Sequence, residues 1–295
     1  MKFVRMCMTI AAAALLLAAL AAYLGALHPA GDSFAALRLQ LGLLALVLYA
    51  VSLPARAVLA ERLAALAVIA QALPILATGW GARAPEGETI TLLQHNVLLM
   101  HGDFLSLAAA LESYDADILT LQEIGGPATS LLSLLSRAYP HVPDCPNAST
   151  TDAQIFSRFP LSDVTCGRTV MAATADTPIG RVRVASVHPF WPWPYAQSRS
   201  IAEIEDLLGD ETLPVVMAGD FNNTAWSHAV TRVEAATGTH TVPGVRPTFG
   251  IEPASPFWPG LAIDHVLVPE GWGAEVTLLP KHGSDHRALL ARIGP

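Results

Sequence analysis

Three uncharged apolar runs fill most of the first 83 residues: Met6–Leu27, Leu39–Ala55 and Leu63–Ala82, of 22, 17 and 20 residues. A helix needs about 20 such residues to cross the hydrocarbon of a bilayer, and only a helix or a closed barrel satisfies its backbone polar groups there. Lys2 and Arg5 ahead of the first run resemble the head of a signal peptide. The apolar core is too long for one, no clear A-x-A site closes it, and two more apolar runs follow. Residues 1–83 are therefore expected to be a membrane anchor of about three transmembrane helices. A buried helical hairpin is the alternative for the second and third runs. The bias explains a mean hydropathy of +0.43 in a chain that is still 14% charged.

Charge around the runs predicts orientation. Lys2, Arg5, Arg56 and Arg62 fall on one side, and Arg38 and Arg83 border the other. The positive-inside rule puts the N-terminus in the cytoplasm and everything after residue 83 outside, on the periplasmic side of an inner membrane if the cell is Gram-negative. Cys7 lies inside the first run, while Cys145 and Cys166 could pair in an oxidising compartment or stay free.

Ala84-Pro85-Glu86-Gly87-Glu88 reads as a short linker. Residues 89–295 then carry short β-like runs at 89–98, 118–122, 153–156, 181–188, 215–218, 263–268 and 288–293, with helical patterns at 103–114, 129–138, 197–208 and 227–236. The economical architecture is an α/β (α+β) sandwich with helices over sheets. Residues 84–295 hold 23 acidic against 11 basic side chains, a surface that would repel bulk nucleic acid.

Unusual polar residues stand where apolar runs end, at the rims where function collects. Asn96 ends Thr91-Leu92-Leu93-Gln94-His95-Asn96, as a turn residue also would. Glu123 ends Asp117-Ile118-Leu119-Thr120-Leu121-Gln122-Glu123 and suits a hard cation such as Mg²⁺, which takes carboxylate oxygen. His188 closes a third run, where a surface histidine is the ordinary reading. Val215-Val216-Met217-Ala218-Gly219-Asp220-Phe221-Asn222 is more specific. In extended backbone Asp220 and Asn222 share a side, so one could orient or deprotonate a water while the other donates to a phosphoryl oxygen. Ile263-Asp264-His265 and Ser284-Asp285-His286 complete the set: Asp285 can ligate a cation, and His286 can hold a phosphate oxygen or move a proton if Asp264 orients its ring.

Gln122-Glu123, Gly219-Asp220-Phe221-Asn222, Ile263-Asp264-His265 and Ser284-Asp285-His286, in this order, resemble the endonuclease/exonuclease/phosphatase superfamily over about residues 89–295. The resemblance implies a four-layer sandwich of two packed, mostly antiparallel sheets flanked by helices, and hydrolysis of phosphoesters with Mg²⁺ or Mn²⁺ by in-line attack of water. Carried over, Asn96, Glu123 and Asp285 would hold the metal. Asp220 would be the water-orienting base, and Asn222 would bind the phosphate. His286 with Asp264, and His188, would bind phosphate or transfer a proton. Arg158, in the family's Ser-Arg turn, could approach phosphate or form a surface salt bridge.

The sequence departs from the family after His188, where Pro189-Phe190-Trp191-Pro192-Trp193-Pro194-Tyr195 is strongly aromatic. It is either a proline-braced turn or a segment in which Trp191, Trp193 and Tyr195 touch the membrane interface or a lipid substrate. The expected function is a membrane-anchored phosphodiesterase or phosphatase acting on a small or lipid-linked substrate. A tethered nuclease and a non-catalytic interaction module are the alternatives.

Overall fold

The computed structural model describes residues 1–100, 102–145, 152–250 and 259–295. The apolar runs form α1 (Lys2–Ala21), α3 (Arg38–Ala55) and α4 (Val58–Gly79), three helices long and apolar enough to cross a membrane. Between the first two lies a short helix that the sequence did not foreshadow, α2 (Ala30–Ala36).

Eleven strands among the described residues follow: β1 (Ile90–Asn96), β2 (Ile118–Gln122), β3 (Gln154–Ser157), β4 (Leu161–Cys166), β5 (Val170–Thr177), β6 (Gly180–Val187), β7 (Val215–Asp220), β8 (Thr239–Thr241), β9 (Asp264–Pro269), β10 (Gly273–Leu278) and β11 (Leu289–Gly294). Helices α5 (Phe104–Ser113), α6 (Ser130–Leu135), α7 (Gln197–Leu208) and α8 (His228–Thr237) connect them. Two are capped as their sequences suggest: the Asp103 carboxylate accepts from Ser106 N at 3.0 Å, and Ser227 Oγ accepts from Val230 N at 3.2 Å.

The strands make two sheets, in the orders β10-β11-β1-β2-β3 and β4-β5-β6-β7-β9-β8. Every pairing is antiparallel except β1 with β2 and β6 with β7. Apolar faces fill three layers. Ile90, Ile118, Val184, Val216 and Val266 pack between the sheets. Leu107, Leu111, Leu131 and Leu135 of α5 and α6 cover the outside of the first sheet. Ile201, Ile204, Val230 and Val233 of α7 and α8 cover the second. This is the expected four-layer sandwich. Cys145 and Cys166 are joined in a disulfide.

The two parallel pairs position the site. The carboxyl ends of β1 and β2, and those of β6 and β7, open at one rim, and β9 and β11 start there because they run antiparallel to β7 and β1. Gly219 lets β7 press against β6: a Cβ at this position would stand 2.0 Å from Val187 O, so no larger residue fits just before Asp220.

Candidate active site

Asn96, Glu123, His188, Asp220, Asn222, Asp264 and His286 converge at that rim from six chain segments. Asn96 Nδ2 donates to Glu123 Oε1 at 3.0 Å and to Asp220 Oδ2 at 3.1 Å, bridging two carboxylates. Glu123 also accepts from Leu99 N at 2.7 Å. Glu123 and Asn222 both have left-handed backbone, with φ of 64° and 51°, an uncommon conformation for side-chain-bearing residues that concentrates at functional sites.

Asp220 lies between two imidazoles. His188 Nε2 and His286 Nε2 each stand 3.6 Å from Asp220 Oδ2. The far nitrogen of each ring is held by its own carboxylate: His286 Nδ1 meets Asp264 Oδ2 at 2.8 Å, and His188 Nδ1 meets Asp152 Oδ2 at 2.9 Å. Asp264 is fixed in turn by Gln94 Nε2 at 2.7 Å. Such outer partners set ring orientation and tautomer.

The charges follow from this packing. Burial and the nearby Asp264 push the Asp220 carboxyl up to about 6, against the pull of the two histidines. Burial disfavours the His286 cation, but Asp264 and Asp220 outweigh it and raise the ring to about 10. His188 is likewise opposed by burial and raised by Asp152 and Asp220 to about 9. Asp264, though buried, is held below the usual carboxylate range by His286. The carboxylates packed against the His188 and His286 rings thus favour both as imidazolium cations.

Asn222 anchors two loops: its backbone N donates to Asp220 Oδ1 at 2.8 Å, and its Nδ2 donates to Pro189 O at 2.9 Å. Its buried Oδ1 is left without a partner. Asp285 follows Ser284, whose hydroxyl donates to Asn96 O at 2.7 Å and so fastens the 284–286 turn to the end of β1. Phe249 lies against the His286 ring with centroids 4.9 Å apart, and Trp191 lies against Phe249 at 5.7 Å.

A cleft of about 390 Å³ opens over this array, and its walls include Glu123, His188, Asn222, Phe190, Trp191 and Arg168. Arg158 is not among the residues lining it; its guanidinium pairs with Asp115 at 2.6 Å and lies over the Tyr139 ring. Sequence reasoning missed Asp152, Gln94, Arg168 and Thr248, whose hydroxyl accepts from Asp264 N at 3.2 Å. Only Gln94 had a visible signal, as an amide following the apolar pair Leu92-Leu93 inside β1.

The oxygen donors fit a hard divalent cation. An amide nitrogen bridging Glu123 and Asp220 occupies the kind of position in which a cation balances two carboxylates, while the Asn96 oxygen accepts from Leu98 N at 3.1 Å. Asp220, Asp264 and His286 also offer ligand atoms within 4.8 Å of one another, but Asp264 is already engaged by His286 and Gln94.

Comparison with known proteins agrees with this fold. Sphingomyelinase C from Streptomyces griseocarneus superposes with a TM-score of 0.50 at 17% identity, covering 70% of this chain and 99% of that one. A beta toxin variant from Staphylococcus aureus with bound magnesium ions gives 0.53 at 16%, covering 69% and 99%. The human nocturnin catalytic domain with bound sulfate gives 0.53 at 16%, covering 75% and 98%. At these identities the likeness is one of fold. No curated protein matches the sequence. Residues 93–286 match the Endonuclease/Exonuclease/phosphatase family, a match that spans most of the chain and the whole rim described above, and the chain belongs to that family of phosphoester hydrolases.

Proposed function

We propose that this protein is a membrane-anchored, divalent-metal-dependent phosphoesterase that hydrolyses a lipid-linked phosphoester outside the cytoplasm. The observation that carries the chemistry is the buried Asp220 carboxylate flanked by two carboxylate-held imidazoles at 3.6 Å. Asn96, Glu123 and Asp285 would hold Mg²⁺ or Mn²⁺, which supplies charge neutralisation at the phosphoryl oxygen and the leaving group.

Asp220 orients water for in-line attack and takes its proton. His286, kept cationic by Asp264, holds a phosphoryl oxygen as negative charge grows on it. His188, kept cationic by Asp152, gives its proton to the departing alkoxide. Phosphoryl transfer needs this positioning and electrostatic stabilisation more than covalent chemistry.

Placement of the cleft supports the substrate class. Ser33 Oγ donates to Trp193 O at 2.6 Å, and the His28 and Trp193 rings meet at 6.0 Å. Residues 28 and 33 lie between α1 and α3, at the end of the anchor facing the domain. Trp193, two residues after the cleft-lining Trp191, thus lies at the end of the anchor, at the headgroup level that tryptophan and tyrosine favour. The positive charges at Lys2, Arg5, Arg56 and Arg62 and the Cys145–Cys166 disulfide both favour an extracytoplasmic domain.

The chemistry is tested with the full chain in detergent micelles and bis(4-nitrophenyl) phosphate. Hydrolysis should need Mg²⁺ or Mn²⁺, stop with EDTA, and fall roughly 100-fold or more in Asp220→Asn and in His286→Gln. Turnover that survives EDTA or both substitutions would overturn the mechanism.

A further inference from the structure

The cleft contains a cation that the chemistry above leaves unused. Arg168 is the one guanidinium among its described lining residues. It stands on the turn between β4 and β5, and that turn is locked from α7: Glu203 accepts from Arg168 N at 2.7 Å, from Thr169 N at 3.0 Å and from Thr169 Oγ1 at 3.0 Å. A Cβ on Gly167 would come within 2.7 Å of the Glu203 carboxyl carbon, so the approach is close. The Arg168 guanidinium itself lies 5.0 Å over the ring of Phe190, another wall of the cleft.

What this guanidinium lacks is an acid. Elsewhere in the domain Arg158 pairs with Asp115, Arg181 with Asp163, Arg183 with Glu211, Arg232 with Glu205 and Arg292 with Glu275, while of the arginines with no carboxylate partner among the described residues (Arg137, Arg168, Arg199, Arg246 and Arg287) Arg168 is the one that lines the cleft. Arg168 has no carboxylate partner among the described residues, although acidic side chains outnumber basic ones two to one in this part of the chain. The two acids that share the cleft are engaged elsewhere, Asp152 with His188 and Glu123 with Asn96 and Leu99 N.

We propose that Arg168 is a specificity residue that binds a second anionic group, phosphate or carboxylate, carried by the substrate beyond the scissile phosphoester. A guanidinium offers a planar fork that matches either anion bidentately. Stacking on Phe190 holds that fork in the cleft and lowers the ordering cost of binding. The same charge disfavours a headgroup ending in a quaternary ammonium. This inference rests on the phosphoesterase reading for what the first phosphate is, while the second site is tested by binding alone.

The experiment uses the full chain in nanodiscs with Mg²⁺, in the Asp220→Asn background to prevent turnover, and follows tryptophan fluorescence as inositol 1-phosphate or inositol 1,4-bisphosphate is added. The bisphosphate should bind about tenfold more tightly. Arg168→Gln, at an exposed position, should erase that preference, and Arg168→Lys should restore part of it. Equal binding of the two ligands, a preference that survives Arg168→Gln, or no binding of either at millimolar concentration would overturn the proposal. Preference without turnover in the unsubstituted chain would refute the phosphoesterase reading and leave the anion site standing. Turnover without preference would do the reverse.

Discussion

Asp220 and His265 stand on paired strands, Asp220 opposite Asp264 and His265 opposite Gly219, and they meet burial in opposite ways. Asp220 has two imidazole neighbours and a proposed catalytic role. His265 is fully buried, its Nε2 lies 2.9 Å from Asn223 O, and burial pushes its ring down to about 4. A histidine with a folded pKa below its unfolded value favours the folded state above about 6.5, and that stabilisation is lost as pH falls through about 4. The shift corresponds to roughly 3 kcal/mol. Acidification from pH 7 to pH 4 should therefore lower the melting temperature of the wild type more steeply than that of His265→Gln, whose side chain does not titrate. Parallel melting curves across that range would contradict the assignment. His265 carries no visible mark in Ile263-Asp264-His265. Its neighbour Asp264 points into the site while it points away, because alternate residues of a strand face opposite sides.

The same alternation explains which residues were legible. Asn96, Glu123, Asp220, Asp264 and His286 all end or begin apolar strands, so polarity at a strand boundary gave them away. Asp152 and Arg168 gave no such signal. Asp152 meets its partner His188 36 positions along the chain, and Arg168 sits in a turn that resembles any other polar turn.

Among elements, the strands missed in the sequence are those with weak patterns. β4 has no buried residue, β5 is built on Ala172, Ala173 and Ala175, β8 is three residues long, and β10 is an edge strand that opens Gly-Ala-Glu. Their β structure comes from their neighbours in the sheet rather than from propensity. The short helix α2 was also unseen, and it ties the anchor to the domain. Buried Asp32 accepts from His228 N at 2.8 Å at the start of α8, and Ala35 O accepts from Trp226 Nε1 at 2.8 Å. These contacts brace residues 224–228, directly after Asp220-Phe221-Asn222. Asp32→Ala should cost about 1 kcal/mol, as lost helix caps do, seen as a fall of roughly 2–4 °C in the melting temperature of the full chain in detergent. An unchanged melting temperature would show that the anchor loop does not support the domain.

At the scale of the whole molecule, three apolar helices, an acidic hydrolase-family domain and Trp193 packed against the anchor support the proposal of an enzyme that meets its substrate at a surface. Apolar run lengths and strand-end motifs make that division legible in the sequence alone. The docking between the parts was not visible, because it depends on backbone carbonyls and single side chains such as Ser33 and Gln40, whose Nε2 donates to Pro259 O at 3.1 Å. An enzyme so placed should favour a phosphoester presented in a bilayer over one in solution.

The decisive measurement compares full-length protein in proteoliposomes acting on phosphatidylinositol 4-phosphate in the same membrane with its action on supercoiled DNA added outside, with Mg²⁺ and with EDTA. The membrane-enzyme reading predicts Mg²⁺-dependent release of a water-soluble phosphorylated headgroup or of phosphate, lost in Asp220→Asn, with no nicking of the DNA. Efficient nicking of DNA with the lipid left intact would contradict it.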